Sequence, residues 1–260
     1  MTENLVIHAL IPARYGSKGI RLKNIKIYNG HPLMAHSIML AKRCAYISDV
    51  IVSTDSVEFK KTALKYGASV PFLRPSQISG DYSTDLECFE QYLDFLKYAK
   101  RTIPDIIIHL RPTYPERTTD LLNKCVRTFI NNYKNYDSLR TVIPLRKSLF
   151  KMYTINNELL IPTYQQYKDI KEPHNQVRQI LPETYLHNGC IDIVKTSTII
   201  DKKSICGTKI YPYKKVIQLI YRKLKREQIV IIFRQYNQHC LDNNLLNQHH
   251  LILNEEEKDM

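Results

Sequence analysis

Alternation constrains this chain more than any single residue does. Apolar runs at 5–11, 50–52 and 105–110 are each followed by a polar turn and then by a segment whose apolar residues recur at helical spacing. After the first run, Leu33, Met34, Ile38, Leu40 and Ala41 line one face of a helix predicted over 32–46, with Pro32 suited to its first position. Further helices are predicted over 57–66, stopped by Gly67, and over 84–100 and 119–131. A brief extended piece falls at 70–73, and a strand at 138–143 closes the series. Strands separated by crossover helices predict an α/β fold: a mostly parallel sheet, wound right-handed, with helices on both faces. Ligands of such sheets sit at the carboxyl ends of the strands. Three loops should therefore meet in one crevice: the turn after the first run, Ser53-Thr54-Asp55, and the stretch from Arg111 to Arg117.

Beyond residue 151 the pattern weakens. Residues 152–184 scatter Tyr, Asn and Pro without a helical face, and read either as an irregular excursion or as a small strand-rich arm. Runs at 191–194 and 209–213 look like later strands of the main sheet. The character changes again near Val216, so the chain divides into a main domain, 1–215, and a basic and polar tail, 216–260, ending in an acidic, solvated stretch.

The formal net charge of +13 implies an acidic partner, although a chain rich in Lys, Ile, Asn and Tyr also gathers such charge through compositional bias. Part of the excess lies at 214–226, which holds six Lys or Arg and no acid. A nucleic-acid binder is the rival reading this charge motivates, but no helix-turn-helix, zinc-finger or RNP pattern accompanies it. No window approaches the roughly 18 apolar residues of a membrane span. Met1-Thr2-Glu3-Asn4 lacks the basic start of a signal peptide, so a cytoplasmic protein with no membrane or nucleic-acid partner is expected. The six cysteines have no metal-ligand spacing and read as reduced thiols.

The turn after the first strand, Ile11-Pro12-Ala13-Arg14-Tyr15-Gly16-Ser17-Lys18-Gly19-Ile20-Arg21-Leu22-Lys23-Asn24, carries the chemistry. It is neither a Walker loop nor a dinucleotide fingerprint, since GxxxxGK[ST] and GxGxxG are both absent. Glycines admit close backbone approach, and free N–H groups, Arg and Lys bind oxyanions. A basic turn is most often solvated surface, but its place after the first strand reads as a phosphate-gripping loop.

These residues resemble the opening of the acylneuraminate cytidylyltransferases, also called CMP-sialic acid synthetases, and of the related 3-deoxy-manno-octulosonate cytidylyltransferases. The resemblance continues through DVIVSTD at 49–55, GASVPFLRP at 67–75, LRPTYPER at 110–117, RQILP at 178–182 and YLHNG at 185–189. It implies a Rossmann-like nucleotide-diphospho-sugar transferase fold, a homodimer joined through residues 152–184, and transfer of CMP from CTP to an acidic sugar with Mg²⁺ and release of pyrophosphate. By the same resemblance, Ala13, Arg14, Ser17, Lys23, Asn24, Arg74 and Ser83 would bind the nucleotide, and Arg14, Lys18 and Lys23 would be catalytic. Arg111, Arg178, Asn188 and Asp192 would bind the sugar. Read without it, Arg74 is a surface arginine, Ser83 a helix cap, Asp81 and Asp85 complements to a helix dipole, and Asp55 a cap for the helix at 57. Arg111 would take a sugar carboxylate or pair with Glu116.

Four departures concern the sugar and the metal. Arg111 stands where sialic acid synthetases carry glutamine, Leu186 where they carry an arginine, and Asp192 where they carry an aromatic, which points to an acidic sugar other than N-acetylneuraminate. The family's Mg²⁺-binding Asp-x-Asp pair would fall within 213–220, yet no carboxylate occurs between Asp201 and Glu227. A weak or inactive nucleotide-binding relative, a carboxylate supplied from elsewhere such as Glu227, and a reading-frame change each account for that segment.

Overall fold

The computed structural model describes residues 5–16, 20–145 and 147–214. In chain order its elements are β1 (Ile7–Pro12), β2 (Ile27–Tyr28), β3 (His31–Pro32), α1 (Leu33–Lys42), β4 (Asp49–Ser53), α2 (Val57–Lys65), α3 (Asp85–Tyr98), β5 (Ile106–His109), α4 (Thr119–Asn131), β6 (Ser138–Pro144), β7 (Tyr153–Asn156), β8 (Leu159–Pro162), β9 (Gln166–Tyr167), β10 (Ile170–Lys171), β11 (Tyr185–Lys195), α5 (Thr196–Lys202) and β12 (Ile210–Tyr213).

Six strands form one sheet in the order β12-β6-β11-β5-β1-β4. β1 runs parallel to both β4 and β5, and β12 parallel to β6, while β11 alone is antiparallel to its neighbours β5 and β6. The expected α/β architecture is present as a mixed, mostly parallel sheet. The central strands are apolar along their length because both faces are covered. On one face Ala9, Ile11, Val52, Ile106 and Ile108 meet Met34 and Ile38 of α1, Phe59 and Ala63 of α2, and Leu122 and Phe129 of α4. On the other, Leu10, Ile51, Ile107 and Val194 meet Phe89, Tyr92 and Leu96 of α3 and Ile199 of α5.

Several boundaries differ from expectation for local reasons. Residues 70–73 form no strand; Ser69 alone bridges Ile51, its N–H donating to the Val50 carbonyl at 2.7 Å. The cap of α2 is Ser56, whose side chain accepts the Phe59 N–H, and not Asp55. The cap of α3 is Thr84 in a capping box with Glu87, which leaves Ser83 outside that role. The unforeseen α5 occupies only seven residues, too short for periodicity to reveal. Residues 152–184 form a strand-rich arm of two small antiparallel ladders, β7–β8 and β9–β10. Asn157 and Glu158, with φ of 47° and 63°, supply the left-handed pair that a two-residue hairpin turn needs. The tail from residue 215 onward, including Glu227, lies outside the described residues.

Candidate active site

The phosphate-ready turn is anchored on both sides by backbone pairing. The Ala13 N–H donates to the Ser53 carbonyl at 2.8 Å, carrying the β1–β4 ladder one residue past the strand. The Tyr15 N–H then donates to Asp55 Oδ1 at 2.6 Å, and the Tyr15 ring lies against Phe59. Asp55 is thus the strut that holds the turn. Ser17 and Lys18 lie outside the described residues. The chain re-enters a single 3-10 turn, Lys23–Ile25, where buried Asn24 donates from Nδ2 to the Arg14 carbonyl at 3.0 Å. Burial, and secondarily the Arg14 charge, hold the Lys23 ammonium below its ordinary pKa.

The turn opens onto a cleft of ≈ 300 Å³ at the carboxyl ends of β1, β4 and β5. Six of the residues singled out from the sequence line it: Arg14, Lys23, Asn24, Arg74, Ser83 and Arg111. Arg14 donates to the Gly80 carbonyl and pairs with Asp81 at 3.3 Å. Arg74 is buried, its Nε donating to Ser53 Oγ at 3.2 Å and its Nη2 to the Ser53 carbonyl at 2.8 Å, so it is a fixed part of the wall rather than a surface cation. A wall holding Arg14, Lys23 and Arg74 is suited to a polyanion. A larger cavity, ≈ 390 Å³, lies at the amino ends of β1 and β4 beside His8, Asp49 and Tyr92; it is remote from the turn and shares none of these residues.

Arg111 of the cleft wall belongs to an ion-pair cluster whose Asp192, like Asn188, is not among the residues lining the cleft. Arg111 Nη1 donates to Asp192 Oδ2 at 2.5 Å and Nη2 to Asp85 Oδ2 at 3.2 Å, so its partners are these two carboxylates and not Glu116, which accepts from the Tyr28 hydroxyl. The other Asp192 oxygen accepts from His187 Nε2 at 2.7 Å. Burial pushes the Asp192 carboxyl up, but the hydrogen bond from His187 and the Arg111 charge outweigh it and bring the pKa to about 2. Asn188 and Gly189 shape the irregularity in β11 that delivers Asp192. Asn188 Oδ1 accepts from Thr141 Oγ1 at 2.6 Å and from the Cys190 N–H at 3.0 Å, while Gly189 takes the left-handed φ of 63° that favours glycine. Arg178 stands exposed at the head of a 3-10 turn in the arm and is not among the residues lining the cleft. Sequence reasoning missed the structural part played by Arg117. Buried, it donates to the Cys190 carbonyl, to Ser37 Oγ and to the Arg111 carbonyl, tying β11, α1 and the Arg111 loop together.

Among the described residues no group of His, Cys, Asp and Glu is placed to hold a metal ion. Asp81 and Asp85 pair with Arg14 and Arg111, Asp192 with Arg111 and His187, and Asp55 with the Tyr15 N–H, so these carboxylates do not form a site for Mg²⁺. No helix among the described residues is long and apolar enough to cross a membrane.

A family model described as cytidylyltransferase matches residues 8–243. The chain belongs to the cytidylyltransferase family. It is an enzyme of CTP-dependent nucleotidyl transfer. The match covers the cleft and runs on into the segment after residue 215. The chain is 32% identical over 200 residues to CMP-N,N'-diacetyllegionaminic acid synthase of Legionella pneumophila, covering 76% of this chain and 82% of that protein. To pseudaminic acid cytidylyltransferase of Campylobacter jejuni it is 31% identical over 161 residues, 61% of this chain and 68% of the relative. In fold it is similar to CMP:2-keto-3-deoxy-manno-octonic acid synthetase solved with CTP, with TM-score 0.53 and 14% identity over 90% of this chain and 86% of that one.

Proposed function

We propose that this cytidylyltransferase transfers CMP from CTP to the anomeric hydroxyl of an acidic, sialic-acid-like sugar, releasing pyrophosphate. The observation that carries the reading is the convergence of Arg14, Lys23, Asn24, Arg74 and Ser83 on one cleft beside the phosphate-ready turn. In it the triphosphate lies against Arg14, Lys23 and Arg74, and the resemblance adds Ser17 and Lys18, which lie outside the described residues, to the phosphate ligands. The catalysis asked of these groups is positioning and stabilisation of charge as pyrophosphate leaves. Asn24 keeps Arg14 in place through the Arg14 carbonyl. The sugar lies toward Arg111, Asn188 and Asp192.

The names of the relatives support an acidic nine-carbon sugar other than N-acetylneuraminate: N,N'-diacetyllegionaminic acid and pseudaminic acid are the acids to try first. Mg²⁺ belongs to the proposal as the ion expected to accompany CTP. A homodimer joined through the arm and a cytoplasmic location complete it; the arm's exposed Ile155, Leu159 and Leu160 support the first. The test is pyrophosphate release from CTP with each acid, with and without Mg²⁺. Release is expected to require both CTP and the sugar, and Lys23→Ala or Arg74→Ala to lower kcat/KM by about 100-fold or more. Tight CTP binding with no release on any acid in Mg²⁺ overturns transfer and returns the chain to a nucleotide-binding relative.

A further inference from the structure

The floor of the cleft holds a group that the proposed reaction does not use. His109 is the last residue of β5. Along this strand Ile106 and Ile108 face α1 and α4, so Ile107 and His109 face α3, where the His109 ring meets Phe89 edge-on at 5.2 Å. His109 is 2% exposed and lines the cleft. Neither ring nitrogen has a hydrogen-bond partner among the described residues. Asp85 Oδ2 is 3.8 Å from Nε2, beyond hydrogen-bonding distance. The contact with Phe89 leaves both nitrogens buried and without a hydrogen bond, an arrangement folded proteins rarely keep without a use.

The surroundings say which ligand group fits. Burial and the neighbouring Arg111 charge keep the imidazole neutral, with its pKa pushed down to about 4 despite Asp85 and Asp192. A neutral imidazole offers one donor and one acceptor, which suits a hydroxyl or an amide. Asp192 lies directly across the ladder from His109, on the same face of the sheet, and Arg111 is two residues further along. Asp85 and Asp192 already occupy both amino groups of the Arg111 guanidinium, so a further carboxylate or phosphate belongs beside Arg14, Lys23 and Arg74.

We propose that His109 is a substrate-recognition residue whose ring nitrogens hydrogen-bond a hydroxyl or amide of the acceptor sugar, next to Asp85 and Arg111. This rests on the reading of the cleft as a site for CTP and an acidic sugar. It assigns the Arg111 end to neutral polar substituents and not to the sugar carboxylate.

The test uses the full chain with ¹⁵N-labelled histidine. CTP, and then N,N'-diacetyllegionaminic or pseudaminic acid, are titrated while ring resonances and affinities are followed. The sugar is expected to move the His109 resonances. His109→Phe, which keeps a ring against Phe89, is expected to weaken the sugar by about tenfold and change CTP affinity by less than about twofold. His109→Gln, which restores a donor and an acceptor, is expected to recover part of the loss. Unchanged sugar affinity in His109→Phe, an equal loss for CTP, or wild-type His109 resonances unmoved by a bound sugar overturns the proposal. Binding of CTP and sugar without pyrophosphate release refutes transfer while leaving the role of His109 intact, and binding of neither acid overturns both.

Discussion

Asp192 shows how much one side chain can hold. It stands where a resemblance leads one to expect an aromatic, and its two oxygens take Arg111 and His187. Because its pKa lies at about 2, below the ordinary value of 3.8, its contribution to stability is present above about pH 4 and is lost as pH falls toward 2. Asp192→Asn, which cannot ionise, is therefore expected to be less stable at neutral pH and to lose less on further acidification. Urea denaturation of both proteins between about pH 5 and pH 2 checks this, and parallel losses would exclude the linkage. Arg74 and Arg117 are the counterparts: each guanidinium is fixed to backbone carbonyls, so each serves as framework whatever else it touches.

The start of α3 is the element on which the site turns. Thr84 accepts the Glu87 N–H, and the Glu87 carboxylate accepts the Thr84 N–H in return. This cap fixes the residues on either side of it, Ser83 at the cleft and Asp85 against Arg111. Thr84→Ala is expected to cost about 1 kcal/mol of stability. It is also expected to weaken the sugar more than CTP, because Asp85 would no longer be held toward Arg111. Denaturation and separate titrations of the two substrates measure both effects; equal weakening of CTP and sugar would argue against this role for the cap. The helix itself was legible from its spacing, whereas its cap was misplaced by one residue. Ser83 and Thr84 both qualify chemically, and only backbone conformation distinguishes them.

Across the whole molecule, the arm is the feature a single chain leaves unexplained. Ile155, Leu159 and Leu160 are 77%, 67% and 63% exposed on the β7–β8 hairpin, an apolar set that a second copy of this chain would cover. Sedimentation is expected to show a dimer. Ile155→Asp with Leu160→Asp is expected to give a monomer with unchanged circular dichroism, and a wild-type monomer at micromolar concentration would defeat the proposal.

The alternation of apolar runs and helical segments determined the α/β architecture, since parallel strands require crossover helices and buried strands require apolar runs on both faces. The same local information placed the phosphate-ready turn after β1, and the family resemblance marked Arg14, Lys23, Asn24, Arg74, Ser83 and Arg111, which the fold then gathers into one cleft. The antiparallel course of β11 was not legible, because a strand's apolar pattern reads the same in both directions. Yet that course puts Asp192 opposite His109. It also sets Asp192 on Arg111, a pairing made in space across 81 residues of chain. What the phosphate-ready turn can grip follows from its residues; what faces it across the cleft follows only from the sheet.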